Sequence, residues 1–204
     1  MQSNTLHQNE IKQYLVLNKI AESNGTVIFG GSEAKEIPLC ELKQAFELNS
    51  YLYNRSISNL SILDASELYD TCVADLKPEC VFLHLGTADV DSFAKHPSNF
   101  DRAYRELVEM IRANNAKCDI VIVSLKNPAE DTTIAEMNKH LKYIAESQRC
   151  EFGDISTKRV WNPLETKDII SFVYSTGFVR PLKNKKPVYD LVKILFCYEP
   201  AYLI

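Results

Sequence analysis

The stretch VIFGGSE, residues 27–33, is a short apolar run that stops at two glycines and delivers a serine. An apolar run bounded by glycine predicts a buried strand, and the glycines permit a tight turn after it. Ser32 would then stand exposed at the carboxyl end of that strand, where open α/β sheets bind their ligands. An uncovered hydroxyl beside backbone N–H groups is what a nucleophilic serine needs, although a plain turn has the same pattern.

Strand and helix patterns alternate along the chain on both sides of this stretch. Apolar runs predict five strands, at residues 26–29, 51–53, 80–85, 119–125 and 150–155, with helical patterns between them. Alternation at this spacing requires right-handed crossovers and predicts a mostly parallel sheet with helices on both faces. We therefore expect a single α/β domain over residues 1–204. It would begin with an amphipathic helix within residues 1–24, whose apolar positions are Ile11, Leu15, Leu17 and Ile20.

The last quarter of the chain has a less regular pattern. Residues 156–187 contain three prolines and no clean period, which predicts long loops around one short strand near 169–174. A final helix is expected at 188–196, followed by an apolar tail at 197–204. Such a tail either packs on its own domain or offers a contact for a protein partner or a second copy of the chain.

Composition excludes several classes of function. The 23 basic and 27 acidic residues give a net charge of -4, and no face is strongly basic, so no nucleic-acid partner is expected. The densest cationic group, Lys183, Lys185 and Lys186, fits a solvated loop. The six cysteines lack the paired spacing of a zinc site, so we expect them reduced and no bound metal. No leader pattern and no apolar run of ~20 residues is present, which predicts a cytoplasmic protein without a membrane span.

Three segments carry a resemblance to a known family. They are Gly30-Gly31-Ser32, the loop NRSISN at residues 54–59, and LGTADV at residues 85–90. In this order they resemble the Gly-Asp-Ser, Asn-Arg-Gly-Ile-Ser-Gly and Leu-Gly-Thr-Asn-Asp-Val blocks of the SGNH (GDSL-type) hydrolases, which are esterases and acyltransferases. The resemblance spans roughly residues 26–125 and implies a three-layer α/β/α, flavodoxin-like fold with a five-stranded sheet.

The resemblance also implies a role for each matched residue. Ser32 would be the nucleophile, and its own N–H would be one oxyanion donor. The second loop would supply another N–H, at Ser56, where a side chain takes the space that a glycine leaves open. The third block would supply an asparagine amide, but Ala88 stands there and cannot donate. Losing one oxyanion donor typically slows acyl transfer ~10²–10³-fold.

The base that the resemblance implies is missing as well. The family has Asp-x-x-His-Pro before its last helix, and the matching stretch here is residues 174–181. Aligned on the proline, Arg180 replaces the histidine and Gly177 the aspartate. Aligned on the glycine, Val179 and Thr176 replace them. An arginine stays protonated and cannot accept the serine proton.

Two histidines are candidates for a substitute base. His84 lies near the carboxyl end of the third strand, and His96 lies in the loop that follows. A core histidine bonded to a backbone carbonyl and an exposed loop histidine are the alternative interpretations. We expect Asp89 to hold its loop by accepting backbone N–H bonds, and Glu33 to cap the helix after Ser32.

Three functions remain open at this stage, and the last of them is a nucleotide or flavin binder of flavodoxin-like fold whose motifs match the family by chance. The first is a catalytically impaired member of this fold that binds a ligand or scaffolds a partner. Its pocket would be polar, with Arg180 able to hold a carboxylate or phosphate, and the other lining residues would be Gly31, Ser32, Ser56, Thr87, Ala88 and Asp89. A small acyl or carbohydrate-like ligand would fit that pocket. The second is a divergent serine esterase or acyltransferase in which His84 or His96 serves Ser32. No cofactor is expected, since the chain has neither a Gly-x-Gly-x-x-Gly motif nor a Walker loop.

Overall fold

The computed structural model of the chain describes residues 3–45, 48, 51–127 and 130–156. These residues contain five strands: β1 (Thr26–Gly30), β2 (Leu52–Asn54), β3 (Cys80–His84), β4 (Asp119–Val123) and β5 (Glu151–Gly153). All neighbouring pairs are parallel, and the strand order is β2-β1-β3-β4-β5. The predicted parallel sheet is confirmed, with each strand within one or two residues of its expected position.

One helix precedes the first strand, and the others connect the strands in every crossover. In chain order the helices are α1 (Ser3–Asn18), α2 (Ser32–Lys35), α3 (Leu39–Ala45), α4 (Ile62–Cys72), α5 (Val90–Lys95), α6 (Pro97–Asn114) and α7 (Thr132–Ser147). One face of the sheet packs on α4, α6 and α7 through Val27, Phe29, Val81, Leu83 and Ile122. The opposite face packs on α2 and α3 through Ile28, Phe82 and Val121. This is the expected three-layer α/β/α arrangement.

The leading helix differs from its sequence pattern. Leu15, Leu17 and Ile20 are 41%, 37% and 82% exposed, whereas Glu10 and Tyr14 are buried. Of the four predicted apolar positions, Ile11 packs against the core, whereas Leu15 and Leu17 are exposed and Ile20 follows the end of α1. The reason is that the helix packs against a polar loop, as described below.

Register brings three chain segments to one edge of the sheet. Ile28 of β1 pairs with Asn54 of β2, and Gly30 pairs with His84 of β3. Since parallel strands end at the same edge, the segments that follow Gly30, Asn54 and His84 meet there. These are the three segments that carry the resemblance.

Several sequence predictions fall outside the described residues. They are the short strand near 169–174, the final helix at 188–196, the apolar tail at 197–204 and Arg180. Among the helices that are described, none is both long and apolar enough to cross a membrane.

Candidate functional site

Ser32 stands at the carboxyl end of β1, as the first residue of α2, and its side chain is exposed. The Gly31 N–H donates to the His84 carbonyl oxygen at 3.1 Å, which joins the turn to the end of β3. A Cβ on Gly30 would lie 2.4 Å from that same carbonyl oxygen and 2.7 Å from the Ala34 Cβ. Gly30 is therefore what allows the chain to turn this close to β3 and present the serine.

The hydroxyl of Ser32 is held by the loop that follows β2. The backbone N–H of Asn59 donates to Ser32 Oγ at 2.8 Å. Asn59 has φ of 53°, in the left-handed region that glycine and asparagine adopt most readily. In the six-residue loop quoted above, the second glycine of the family pattern falls at Asn59. The residue type at this position, asparagine where the family pattern has glycine, is the sequence signal for this left-handed conformation.

Ser56, whose N–H the resemblance implies as a donor, is hydrogen-bonded within the loop. Its side chain is buried, and its N–H donates to Asn54 Oδ1 at 3.0 Å. Its carbonyl oxygen accepts the Tyr14 hydroxyl. Ser56 thus fixes the base of the loop, and the N–H that reaches Ser32 belongs to Asn59.

Glu33 and His84 form a second polar contact beside Ser32. His84 Nε2 lies 3.7 Å from Glu33 Oε2, and the histidine side chain is 1% exposed. Burial lowers the pKa of His84 to about 4, and a hydrogen bond with the Ser124 backbone opposes that shift only in part. Burial raises the pKa of Glu33, although the charge of Lys126 acts the other way. The ring is therefore neutral at pH 7 and a weak proton acceptor.

The third block supplies no donor to Ser32. Residues 87–89 form one turn of 3₁₀ helix, with Thr87 and Ala88 exposed. Asp89 is buried, accepts the Ser61 hydroxyl at 2.5 Å and accepts the Ile62 N–H at 3.0 Å. Burial raises the pKa of Asp89, and these hydrogen bonds offset part of that rise. Asp89 thus anchors the start of α4, as expected of a loop-holding carboxylate.

All four histidines of the chain belong to the described residues, and none of them hydrogen-bonds to Ser32 there. His96 is exposed at the end of α5. His140 Nδ1 lies 2.8 Å from Asp101 Oδ1, on the outer layer formed by α6 and α7. His7 lies in α1. Of the two candidate bases, only His84 is placed next to a neighbour of Ser32.

Metal binding finds no support in this part of the chain. Within residues 3–45, 48, 51–127 and 130–156, no group of three His, Cys, Asp or Glu side chains could hold an ion. Of the described cysteines, Cys72, Cys80 and Cys118 are buried and free. Burial raises the pKa of each of these thiols, so they remain protonated at neutral pH.

Known proteins resemble this chain in structure and not in sequence. No family model and no curated protein matches the chain. A Streptococcus pneumonia protein provisionally described as a platelet activating factor superposes with a TM-score of 0.65. It is 17% identical, and the match covers 80% of this chain and 82% of that one. A GDSL-like lipase from Bacteroides thetaiotaomicron has a TM-score of 0.59 at 18% identity, with 75% and 81% covered.

A third match is a Bacteroides fragilis protein provisionally described as an acylhydrolase. Its TM-score is 0.60 at 18% identity, and 82% of this chain and 94% of that one are covered. The fold is that of the SGNH hydrolases. At these identities the similarity establishes the SGNH-like fold alone, so the activity has to be argued from the residues at the sheet edge.

The structure brings some of the residues matched by the resemblance together at the sheet edge. Ser32 and the N–H from the second loop are in contact, and Asp89 supports the third turn. The amide donor is absent at Ala88, and the chain has no histidine after His140. The position expected for the base, Arg180 or Val179, lies outside the described residues.

Proposed function

We propose that the chain is a non-hydrolysing protein of SGNH-like fold that binds a small acyl or carbohydrate-like ligand at Ser32. The observation that carries the proposal is that Ser32 Oγ accepts the Asn59 N–H at 2.8 Å while no histidine contacts that oxygen in the described part of the chain. A serine hydroxyl without a general base is a weak nucleophile. It remains a good hydrogen-bonding group.

The missing base is the strongest argument against turnover. A serine hydrolase needs an acceptor that takes the hydroxyl proton and later returns it to the leaving group. His84 has a pKa of about 4 and is enclosed by the sheet, while His96 lies exposed at the end of α5. The absent amide at Ala88 would slow any residual reaction by a further ~10²–10³-fold.

The polarity of the site favours a neutral ligand rich in oxygen. Because the oxygen of Ser32 already accepts from Asn59, its hydrogen is available to donate to a ligand carbonyl or hydroxyl. The exposed Thr87 hydroxyl, on the neighbouring turn, can donate or accept. Structural neighbours include an acetyl xylan esterase, with a TM-score of 0.55, and an acetyl-xylooligosaccharide esterase, with a TM-score of 0.53. An acetylated xylooligosaccharide is therefore the first ligand to test.

The proposal is tested by measuring reactivity and binding on the same protein. Wild type, Ser32→Ala and the matched control Ser98→Ala, which alters an exposed serine on α6, are treated with a fluorophosphonate probe and weighed intact. We expect no adduct on any of the three. Calorimetric titration with acetylated xylooligosaccharide should show binding to wild type and Ser98→Ala, weakened at least ~10-fold in Ser32→Ala, as expected for about 1.4 kcal/mol of lost hydrogen bonding.

Either of two outcomes would overturn this function. An adduct on Ser32 of the wild type would show an activated serine. Equal binding by wild type and Ser32→Ala would place the ligand elsewhere. Circular dichroism of each variant establishes that the compared proteins are folded.

A divergent esterase or acyltransferase is the second candidate, and one observation favours it. Glu33 follows Ser32 directly, and its Oε2 lies 3.7 Å from His84 Nε2, so an acid–histidine pair adjoins the serine. If this pair supplies the base, hydrolysis of 4-nitrophenyl acetate should depend on Ser32 and fall ~10²-fold or more in His84→Gln. His96→Gln is the matched control for the exposed histidine. Turnover that is absent, or that survives Ser32→Ala, would exclude this candidate.

A further inference from the structure

Three polar side chains of α1 lie on one side of that helix. Glu10, Tyr14 and Asn18 are spaced four residues apart, which places them on one face of a helix. Glu10 is 9% exposed and Tyr14 is 8% exposed, so this face is the one that packs inward. Polar residues on a packed helix face require hydrogen-bond partners.

Most of the partners of Tyr14 and Asn18 belong to the loop after β2, while Asn18 Nδ2 donates to the Cys72 carbonyl oxygen of α4 at 2.9 Å. Asn18 Oδ1 accepts from Arg55 Nε at 2.9 Å. The Tyr14 hydroxyl donates to the Ser56 carbonyl oxygen. The guanidinium of Arg55 also lies 5.3 Å from the ring centroids of Tyr14 and Tyr53. The helix thus holds the loop through several consecutive residues before Asn59.

Glu10 contacts Ser58, the residue that precedes Asn59 in the chain. Its Oε2 accepts the Ser58 N–H at 3.2 Å, and its Oε1 accepts the Ser58 hydroxyl at 2.7 Å. The Lys35 ammonium also donates to Glu10 and, at 2.8 Å, to Ser58 Oγ. One carboxylate therefore bonds to two separate elements of the fold.

Those two elements carry the two halves of the hydrogen bond at the site. Lys35 is the last residue of α2, the four-residue helix that begins at Ser32. Ser58 directly precedes Asn59. Glu10 accepts hydrogen bonds from both Lys35 and Ser58, and together with the direct Lys35–Ser58 bond it links the element that carries Ser32 to the one that carries Asn59.

We propose that Glu10 is a positioning residue for the ligand site, which sets the contact between Ser32 Oγ and the Asn59 N–H from outside the site. This inference rests on the proposed function, because the site that Glu10 positions is the proposed ligand site. The carboxylate is well suited to the task. Burial alone would raise the pKa of Glu10, but the hydrogen bonds from Lys35 and Ser58 outweigh burial and hold that pKa below its ordinary value.

The test uses the Asn59 amide as its probe and needs neither ligand nor turnover. The full chain is labelled with ¹⁵N, and the amide chemical shift and hydrogen-exchange rate of Asn59 are measured in wild type, Glu10→Gln and Lys35→Gln. Glu22→Gln is the matched control, since Glu22 is exposed and undergoes the same chemical change. Ser32→Ala shows the response of the amide when its acceptor is removed.

We expect exchange at Asn59 to be at least ~10-fold faster in Glu10→Gln, which corresponds to about 1.4 kcal/mol of local opening. The Asn59 shift should move toward its value in Ser32→Ala, while the amides of Val81 and Leu83 in β3 stay as in wild type. Lys35→Gln should give a smaller change of the same kind, and it remains informative if Glu10→Gln does not fold. Glu22→Gln should change nothing.

A folded Glu10→Gln protein whose Asn59 amide matches wild type would overturn the positioning role. So would an effect of equal size on the β3 amides, because that would show a general loss of stability. The proposed function fails by different results, namely an adduct on Ser32 of the wild type or equal titration of wild type and Ser32→Ala with acetylated xylooligosaccharide. The two proposals can therefore fail separately.

Discussion

Two turns lie at the same edge of the sheet and differ in what they offer to Ser32. The loop after β2 delivers a backbone N–H, from Asn59, to the serine oxygen at 2.8 Å. The turn after β3 directs its one buried carboxylate, Asp89, away to Ser61 and Ile62 at the start of α4. It presents the methyl group of Ala88 where the resemblance implies an amide.

The difference separates a structural requirement from a chemical one. A backbone N–H does not depend on the side chain, so the loop after β2 can contact Ser32 with asparagine at position 59. An amide donor and a base depend on particular side chains, and a single substitution removes each. The hydrogen bonds of Asp89 to Ser61 and Ile62 are structural contacts with the start of α4.

The largest expected effect concerns the turn after β1, which places Ser32 between the loop after β2 and the turn after β3. Gly30→Ala should lower the free energy of unfolding by about 4 kcal/mol or prevent folding, because its Cβ would lie 2.4 Å from a backbone oxygen. Gly31→Ala is the matched control. The nearest atom to its Cβ is the Leu60 carbonyl oxygen at 3.9 Å, and its φ of -85° suits alanine. Urea unfolding measures both, and equal stabilities would contradict the close approach of β1 to β3.

The next largest effect concerns the pH dependence of stability and comes from His84, the last residue of β3. The pKa of His84 is about 4 in the folded protein, against an ordinary value of 6.5 that applies to the unfolded chain. Between these two values the unfolded chain takes up a proton that the buried ring does not. This group's stabilisation is complete above pH 6.5 and is lost as the pH falls toward 4, to a total of about 3 kcal/mol. When the free energy of unfolding is measured with urea between pH 7 and pH 4, it should fall less steeply with pH in His84→Gln than in wild type.

His96→Gln is the control for that slope, because His96 is exposed on the following turn. It should retain the pH dependence of the wild type. If the pH dependence of the unfolding free energy is the same in His84→Gln and wild type, the ring takes up its proton in the folded protein over the same pH range as in the unfolded chain. That outcome would also restore His84 as a group that exchanges protons near Ser32.

Substitution of Asp89 tests whether the turn after β3 has a structural role. Asp89→Ala should destabilise the protein by about 2 kcal/mol, because it leaves the buried Ile62 N–H without its acceptor. Asp91→Ala, an exposed neighbour on α5, should stay within about 0.5 kcal/mol of wild type. The loss should leave binding at Ser32 unchanged in the folded fraction. A loss of binding without a loss of stability would assign Asp89 to the ligand instead.

The smallest effect concerns the backbone of the loop after β2. Asn59→Gly should be neutral or slightly stabilising, whereas Asn59→Ala should cost about 1 kcal/mol, because alanine is disfavoured at a φ of 53°. Both variants keep the N–H, so both should keep the contact with Ser32. Thermal unfolding ranks the two variants. A reversed order would show that the asparagine side chain matters more than the backbone conformation.

Much of this fold could be predicted from the order of apolar runs. The strands at 26–30 and 80–84 are buried along their whole length, and such runs are recognisable without any knowledge of their neighbours. Helix α1 is the counterexample. Only Ile11 of its predicted apolar positions packs inward, because the inward face also carries Glu10, Tyr14 and Asn18, which hydrogen-bond to the polar loop 54–59.

The site divides in the same way. The sequence by itself determined the parallel sheet, the serine at the end of β1, the missing amide at Ala88 and the absence of any histidine after residue 140, since these follow from residue type and order. Only the tertiary structure decided that Asn59 and not Ser56 reaches Ser32, and that Glu10 joins both sides of that contact. Hydrogen bonds between segments 27 and 48 residues apart depend on register and on the path of a loop, and neither is encoded in local pattern.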